Sequence, residues 1–271
     1  MQGSSTYSPK VLVTGGTSGL GLELTRIFLK KGYYVVATGR RNVDFPGYED
    51  KFSLYNVDFN NLKRTAAVFR NICESHQFDF IINNAGILSP PRQILTKDGL
   101  EYTFQVNFLA HLLINEIIIK NKDDNRPLKI VPITSPVYKL AKVEIGKDQS
   151  YKALKAYSDS KLFLALMCGH LAEIHPGKNI LCFSFDPGVF GSGIYRMRDT
   201  FFTVLYKIAS PFMREPSKVA EVLCKVLTEM EVTGGVIYDY RKRVNQLPVN
   251  EQAEVIRFWK ECYNMIGPYL S

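Results

Sequence analysis

A chain of 271 residues, 46% of them hydrophobic, can bury a full core and suits one large α/β domain better than two small ones. The net charge of +8 is spread along the chain, with "RKR" at 241–243 the longest basic run. That distribution describes a solvated basic surface and speaks against a nucleic-acid partner.

Five widely spaced cysteines form no C-x-x-C, and four scattered histidines show no metal-ligand spacing. A disulfide framework and a metal site are therefore not expected, and a reducing, cytoplasmic setting is. The N-terminus MQGSSTYSPK lacks an apolar signal-peptide core, and no apolar run reaches the length of a membrane span.

In chain order, strands are expected at "KVLVTG" (10–15), "YYVVATG" (33–39), "FSLYNVD" (52–58) and "FDFIINNAG" (78–86). "KIVPITS" (129–135), "NILCFSFD" (179–186) and "GVIYDY" (235–240) complete a set of seven. Helix-period segments lie between them near 19–31, 61–76, 97–120, 154–175 and 216–231, with a last one near 250–266. Continuous apolar strands alternating with helices predict a single-domain Rossmann fold over 1–271, its seven-stranded, mostly parallel sheet doubly wound with helices on both faces. Every informative motif falls at the C-terminal end of a strand, where such sheets bind ligands.

The first of these motifs, "VTGGTSGLGLEL" (13–24), follows strand one and opens a helix. Gly15, Gly19 and Gly21 make a G-x-x-x-G-x-G turn, which with Thr17, Ser18 and Leu20 lets backbone amides approach a pyrophosphate. No lysine follows the glycines, so it is not a P-loop. At the tip of strand two, Arg40 and Arg41 stand where an acidic residue would hold a ribose diol. Guanidinium there suits a 2′-phosphate and points to NADP(H). Asp58 ends strand three, where it can accept from an adenine amine or cap a helix, with Phe59 beside it.

With "TGGTSGLG", "NNAG" (83–86) and "YSDSK" (157–161) in order, the chain resembles the short-chain dehydrogenase/reductase family over nearly its whole length. "TKDGLEYTFQVNFLAHLLI" (96–114) and "FWKECYNMIG" (258–267) are most similar to the retinol-dehydrogenase-like branch. The resemblance implies a tyrosine and a lysine one helical turn apart, beside the serine that ends strand five. Four tyrosines have a lysine at i+4: Tyr138, Tyr151, Tyr157 and Tyr238. Tyr138 is too near Ser135, and Tyr238 lies in a strand. Tyr151 competes, because its distance from Ser135 is nearer the shorter family spacing. Tyr157 is preferred: Ala156, Ser158 and Ser160 around it are small, it leads into the apolar "LFLALMCG", and its distance from Ser135 fits the longer loop of this branch.

The family's roles then fall on Tyr157 as proton donor or acceptor, and on Lys161 as the charge that favours phenolate and holds the nicotinamide ribose. They place Ser135 on the substrate oxygen and Asn107 in a water-linked relay to Lys161. Asn83 would stabilise the central strand; Asn84, Ala85 and Gly86 would pack beside the cofactor, and Pro187, Gly188, Val189 and Ser192 beside the nicotinamide. Pro132 and Pro136 depart from the family's strand end, Pro132 removing a ladder donor, and Thr134 is an alternative to Ser135. The aromatic segment 189–206, with Phe190, Tyr195, Phe201 and Phe202, is expected to cover the cleft. These features predict an NADP(H)-dependent carbonyl reductase or alcohol dehydrogenase for a bulky apolar small molecule, and by resemblance a homodimer or homotetramer. The alternative is a catalytically idle NADPH-binding sensor or scaffold.

Overall fold

Valine, isoleucine and phenylalanine runs form the strands, and the computed structural model describes residues 8–143, 150–188, 214–246 and 252–270. Strands β1 (Lys10–Val13), β2 (Tyr34–Gly39), β3 (Phe52–Asn56), β4 (Phe80–Asn83), β5 (Leu128–Pro132) and β6 (Ile180–Cys182) make one sheet in the order β3-β2-β1-β4-β5-β6. All of its pairings are parallel. The chain builds outward from β1 in one direction and then crosses to β4 on its other side. That reversal opens a crevice beyond the carboxyl ends of β1 and β4.

One of the seven expected strands, the sixth in chain order, is present in altered form. The run at 179–186 divides at Phe183 into β6 and β7 (Ser184–Asp186). β7 pairs in parallel with β8 (Val236–Asp239), which carries a short antiparallel edge strand, β9 (Val244–Gln246). The register does not slip across the division, since Ile130↔Cys182 is resumed as Ile133↔Phe185. Phe183 donates to the Ile130 carbonyl at 3.1 Å and Thr134 to the Phe185 carbonyl at 2.9 Å. Pro132 lies between these two bonds with no amide to offer, which interrupts the ladder. The expected seven-stranded sheet is thus six strands and a three-stranded ladder joined by one bridge.

Helices cover both faces. Helices α1 (Gly19–Lys30) and α5 (Pro216–Glu229) bury Leu24, Phe28, Val219 and Leu223 against Val11, Val13 and Val131. The other face carries α2 (Leu62–Ser75), α3 (Tyr102–Asn121), α4 (Ala153–Ile174) and α6 (Gln252–Ile266). On that side Phe258 and Trp259 of α6 meet Phe108 and Phe163 with ring centroids 4.4–5.9 Å apart. Helix α3 joins several apolar runs into a stretch long and apolar enough to cross a membrane by composition, a property its separate runs do not reveal. In this fold, however, 89% of that stretch is buried, so α3 is a central core helix.

Candidate active site

The crevice is a cleft of ≈ 390 Å³. Gly15, Thr17, Ser18, Gly19 and Leu20 line one end, together with Arg40, Arg41, Asp58 and Phe59. Asn84, Ala85 and Gly86 form its middle, and Ser135, Tyr157, Lys161, Pro187 and Gly188 its far end. The fold thus gathers on one cleft residues up to 173 positions apart, from Gly15 to Gly188. Val189, Ser192 and the aromatic segment after them lie outside the described residues.

At the first end, Gly15 turns with φ +67°, a conformation that side chains with a Cβ rarely adopt. Gly21 was expected at the cofactor but does not line the cleft. A Cβ there would stand 2.3 Å from the Gly15 carbonyl oxygen, so its role is to let α1 pack against the turn. The N-terminus of α1 consequently faces the cleft, with Ser18, Gly19 and Leu20 on the wall. Unpaired amides at a helix N-terminus favour an anion such as a diphosphate. Arg40 and Arg41 are exposed just beyond β2. Asp58 accepts from the Asn60 amide at 3.1 Å, which holds its carboxylate at the cleft, while Asn61 is the residue that caps α2.

At the far end Lys161 is 4% exposed and donates from Nζ to the Ile133 carbonyl at 3.0 Å. Burial pushes its pKa down to about 8. Its Nζ also sits 5.7 Å from the centroid of the Tyr157 ring. Tyr157 and Lys161 lie one turn apart on α4, which is what brings both to the same wall.

Asn107 lies behind the wall, in a π-helical segment of α3, Gln105–Leu109. Its Oδ1 accepts from the Ile87 amide at 2.8 Å. Its Nδ2 donates to the Ile87 carbonyl at 3.0 Å and to Ser160 Oγ at 3.1 Å. One side chain therefore ties α3 both to the segment after β4 and to the helix that carries Tyr157. A Cβ on Gly86 would lie 3.3 Å from Asn107 Oδ1 and 3.7 Å from Lys161 Nζ, so the glycine keeps the space between those groups open.

The other three tyrosines are engaged elsewhere. Tyr151 precedes α4 and donates to the Pro90 carbonyl at 2.6 Å, while Lys155 pairs with Asp159 at 2.7 Å. Tyr238 OH accepts from the Thr233 amide at 2.9 Å, and Tyr138 is buried in the turn Pro136–Leu140. Thr134 and Ser135 both line the cleft, but the Thr134 hydroxyl donates to the Phe185 carbonyl at 3.1 Å. Asn83 binds Asn115 of α3 at 3.2 Å and takes no part in the wall. The cleft also includes Thr38, Gly39, Val57, Ile87, Tyr102, Val106 and Ile133, none of which the motifs singled out. Most of these sit at or just beyond strand ends, a position that could have flagged them; Tyr102 and Val106 owe their place to the packing of α3.

The family model described as short chain dehydrogenase matches residues 9–200. Retinol dehydrogenase 12 of Mus musculus is 25% identical over 274 residues, spanning 95% of this chain and 86% of the relative. Retinol dehydrogenase 14 of Homo sapiens is 27% identical over 293 residues, spanning 96% and 87%. Among solved structures, a short-chain dehydrogenase from Streptomyces avermitilis has a TM-score of 0.67 at 18% identity, covering 98% of this chain and 96% of that one. An ElxO variant with NADPH bound also has a TM-score of 0.67, at 20% identity, with coverages of 86% and 97%. At these identities the structural likeness carries the fold, and the family assignment rests on the sequence match. The chain belongs to the short-chain dehydrogenase family, is most like its retinol-dehydrogenase branch, and is accordingly an oxidoreductase that uses a nicotinamide cofactor.

Proposed function

We propose that the protein is an NADP(H)-dependent carbonyl reductase or alcohol dehydrogenase acting on a bulky, apolar aldehyde, ketone or alcohol. The observation that carries this reading is one cleft with Tyr157 and buried Lys161 at one end and Arg40 and Arg41 at the other. The nicotinamide supplies or accepts the hydride. Ser135 hydrogen-bonds the substrate oxygen, and Tyr157 gives that oxygen its proton during reduction or removes one during oxidation. A phenol titrates near ~10 in water. A positive Lys161 close to the ring stabilises phenolate and brings it nearer to neutral pH. With its own pKa lowered to about 8, Lys161 can also pass a proton on, in a water-linked relay that Asn107 supports.

Two arguments support an apolar substrate. Ile87, Tyr102, Val106 and Ile133 line the cleft. The similar proteins include retinol dehydrogenases and a polyprenol dehydrogenase of Danio rerio, named for long apolar alcohols. For NADP(H), the support is the pair of exposed guanidinium groups beyond β2, which suit a 2′-phosphate.

The test is oxidation of NADPH and of NADH over a panel of aliphatic and aromatic aldehydes of increasing size. Burial of each added methylene contributes ~0.8 kcal/mol, so kcat/KM should climb with size until the pocket is full. A flat series or a preference for short polar carbonyls overturns the substrate class. Tight NADPH binding with no turnover anywhere in the panel would instead identify an idle nucleotide-binding protein.

A further inference from the structure

We propose that His111 is a positioning residue, a neutral imidazole that ties the carbonyl of Asn107 to the cofactor wall at Asn84 and Ala85. The proposal rests on the reading of the cleft as an oxidoreductase site and adds a residue to it. His111 lies one turn beyond Asn107 on α3 and is fully buried. It does not line the cleft, yet both of its nitrogens end on groups that shape it.

The protons in this network can be assigned from the acceptors. Nδ1 is 2.9 Å from the Asn107 carbonyl oxygen, which can only accept, so Nδ1 carries a hydrogen. In the neutral ring Nε2 must then accept, and the group 3.0 Å from it is Thr14 Oγ1. That hydroxyl already accepts from the Asn84 amide at 2.9 Å and the Ala85 amide at 3.0 Å. Its single proton has two acceptors in reach, His111 Nε2 and the Ile82 carbonyl at 3.3 Å, and the imidazole is the nearer. The ring also meets Phe59, another cleft residue, edge-on with centroids 5.3 Å apart.

Electrostatics holds the ring in this state. Lys161 is the charged group that bears on His111, and a second cation beside it in a buried site would be costly. Burial, the largest cause, outweighs the bond to the Asn107 carbonyl, which raises the imidazole pKa, and with Lys161 brings it down to about 4. Near neutral pH the Nδ1–H imidazole gives the Asn107 carbonyl a donor. The bond holds the π-helical turn that carries the Asn107 side chain, and with it the bonds to Ile87 and Ser160 that brace the helix of Tyr157. At the other nitrogen, the same ring fixes the Thr14 hydroxyl that braces the amides of the cofactor wall.

A merely packed histidine and a positioning histidine differ in how two amide variants behave. In His111→Asn the side-chain amide reaches the place of Nδ1, keeping the bond to Asn107 and losing that to Thr14. In His111→Gln it reaches the place of Nε2, with the reverse outcome. Leaving one buried polar partner unmatched changes an equilibrium or a rate by about tenfold or more. His111→Asn should therefore raise the Kd for NADPH, or for NADH titrated in parallel, about tenfold while kcat stays within about threefold. His111→Gln should lower kcat about tenfold and displace its pH profile, with Kd within about threefold. Thr14→Val also leaves the Asn84 and Ala85 amides without their acceptor, so it should raise the Kd at least as much as His111→Asn, and combining the two should add little beyond Thr14→Val alone.

A third readout needs no turnover. Imidazole ¹⁵N NMR of the wild type should show His111 as the neutral Nδ1–H tautomer down to about pH 5. Parallel losses of Kd and kcat in both amide variants, or no loss in either, overturn the proposal, as does an Nε2–H or protonated ring near neutral pH. If the wild type binds cofactor but reduces no carbonyl, the oxidoreductase reading fails, and the binding and NMR arms still decide the role of His111. Should both amide variants fail to fold, the tautomer in the wild-type spectrum decides it.

Discussion

Around the nucleotide end, between β1 and β3, the cleft offers backbone amides over a buried floor of Leu20, Val57 and Phe59, with charged side chains that reach solvent at its rim. Gly15 and the first turn of α1 offer amides, and Arg40 and Arg41 project from an exposed turn. At the other end, between β4 and α4, Lys161 and Asn107 are buried, Tyr157 and Ser135 are half-buried, and the groups are fastened to one another. Lys161 holds the Ile133 carbonyl, Asn107 brackets Ile87 and reaches Ser160, and Ser160 Oγ donates to the Tyr157 carbonyl at 2.7 Å. The first region is a surface for binding charge; the second is a prearranged network for moving a proton. Affinity and turnover should therefore respond to different substitutions, and the expectations below test that separation in order of decreasing effect.

Tyr157→Phe should give the largest change. Removing the proton donor from the second region should cut kcat/KM by roughly 10²–10⁴-fold while cofactor Kd is little changed. Tyr151→Phe is the control, because its hydroxyl donates to the Pro90 carbonyl outside the cleft. Steady-state kinetics together with cofactor titration checks both. A large loss in Tyr151→Phe and not in Tyr157→Phe would reassign the catalytic pair.

Lys161 gives the buried region a pH signature that the exposed one lacks. Its folded pKa is depressed from 10.5 to about 8, so the unfolded chain holds this proton more tightly than the folded one. Below about pH 8 the lysine is protonated in both states and the cost of burying its charge is fully present. Between there and pH 10.5 the folded state sheds the proton first, and stability rises with pH. Relative to Lys161→Met, the wild type should gain roughly 3 kcal/mol across this window, at about 1.4 kcal/mol per pH unit. Groups common to both proteins cancel in the difference. Urea denaturation of the two proteins at several pH values measures it, and a pH-independent difference would show that the lysine is not desolvated.

Arg40→Ala tests the nucleotide end. A hydrogen bond to a charged group contributes about 1.5–3 kcal/mol, so NADPH affinity should fall about tenfold or more with kcat largely kept. NADH affinity should barely move. Equal wild-type affinities for the two cofactors would remove the 2′-phosphate role from this region.

The same contrast explains what could be read from the sequence. The glycine turn, Arg40 and Asp58 each follow directly after an apolar strand, so alternation and spacing locate them without knowledge of the fold. Of the seven expected strands, six are continuous; the one at 179–186 divides because Pro132, visible as a missing donor, lies on the neighbouring strand at the point of pairing. Tyr157 stands out from Tyr151 by its small neighbours and the apolar run that follows, and the structure adds that Tyr151 precedes α4 with its hydroxyl on the Pro90 carbonyl. His111, Thr14 and the π-segment around Asn107 were not legible. Their bonds join residues 97 and 20 positions apart, and no local pattern records them. Gly21 was assigned to the ligand because its spacing fits the turn, whereas its missing Cβ serves the packing of α1 on Gly15.

The smallest expected effect concerns two neighbouring hydroxyls at the end of β5. Thr134 and Ser135 both line the cleft, and by composition either could meet a substrate oxygen. Thr134 is 2% exposed, its hydroxyl donating to the Phe185 carbonyl at 3.1 Å and its amide to the same oxygen at 2.9 Å. These bonds brace the junction of β5 and β7 just past Pro132, where the ladder is one donor short. Ser135 is only half-buried, and its extended backbone, φ −165° and ψ 150°, opens the turn at Pro136. Thr134→Val keeps the shape of the side chain and removes one hydrogen bond, so stability should fall by about 1 kcal/mol. The urea midpoint should move with its slope unchanged, and kcat/KM should stay within about twofold, since no group that meets the substrate is lost. Ser135→Ala should do the opposite, sparing stability and depressing turnover. If Thr134→Val cost as much turnover as Ser135→Ala, the bond to Phe185 would have to break during the reaction, and the boundary between bracing and catalysis would fall one residue earlier.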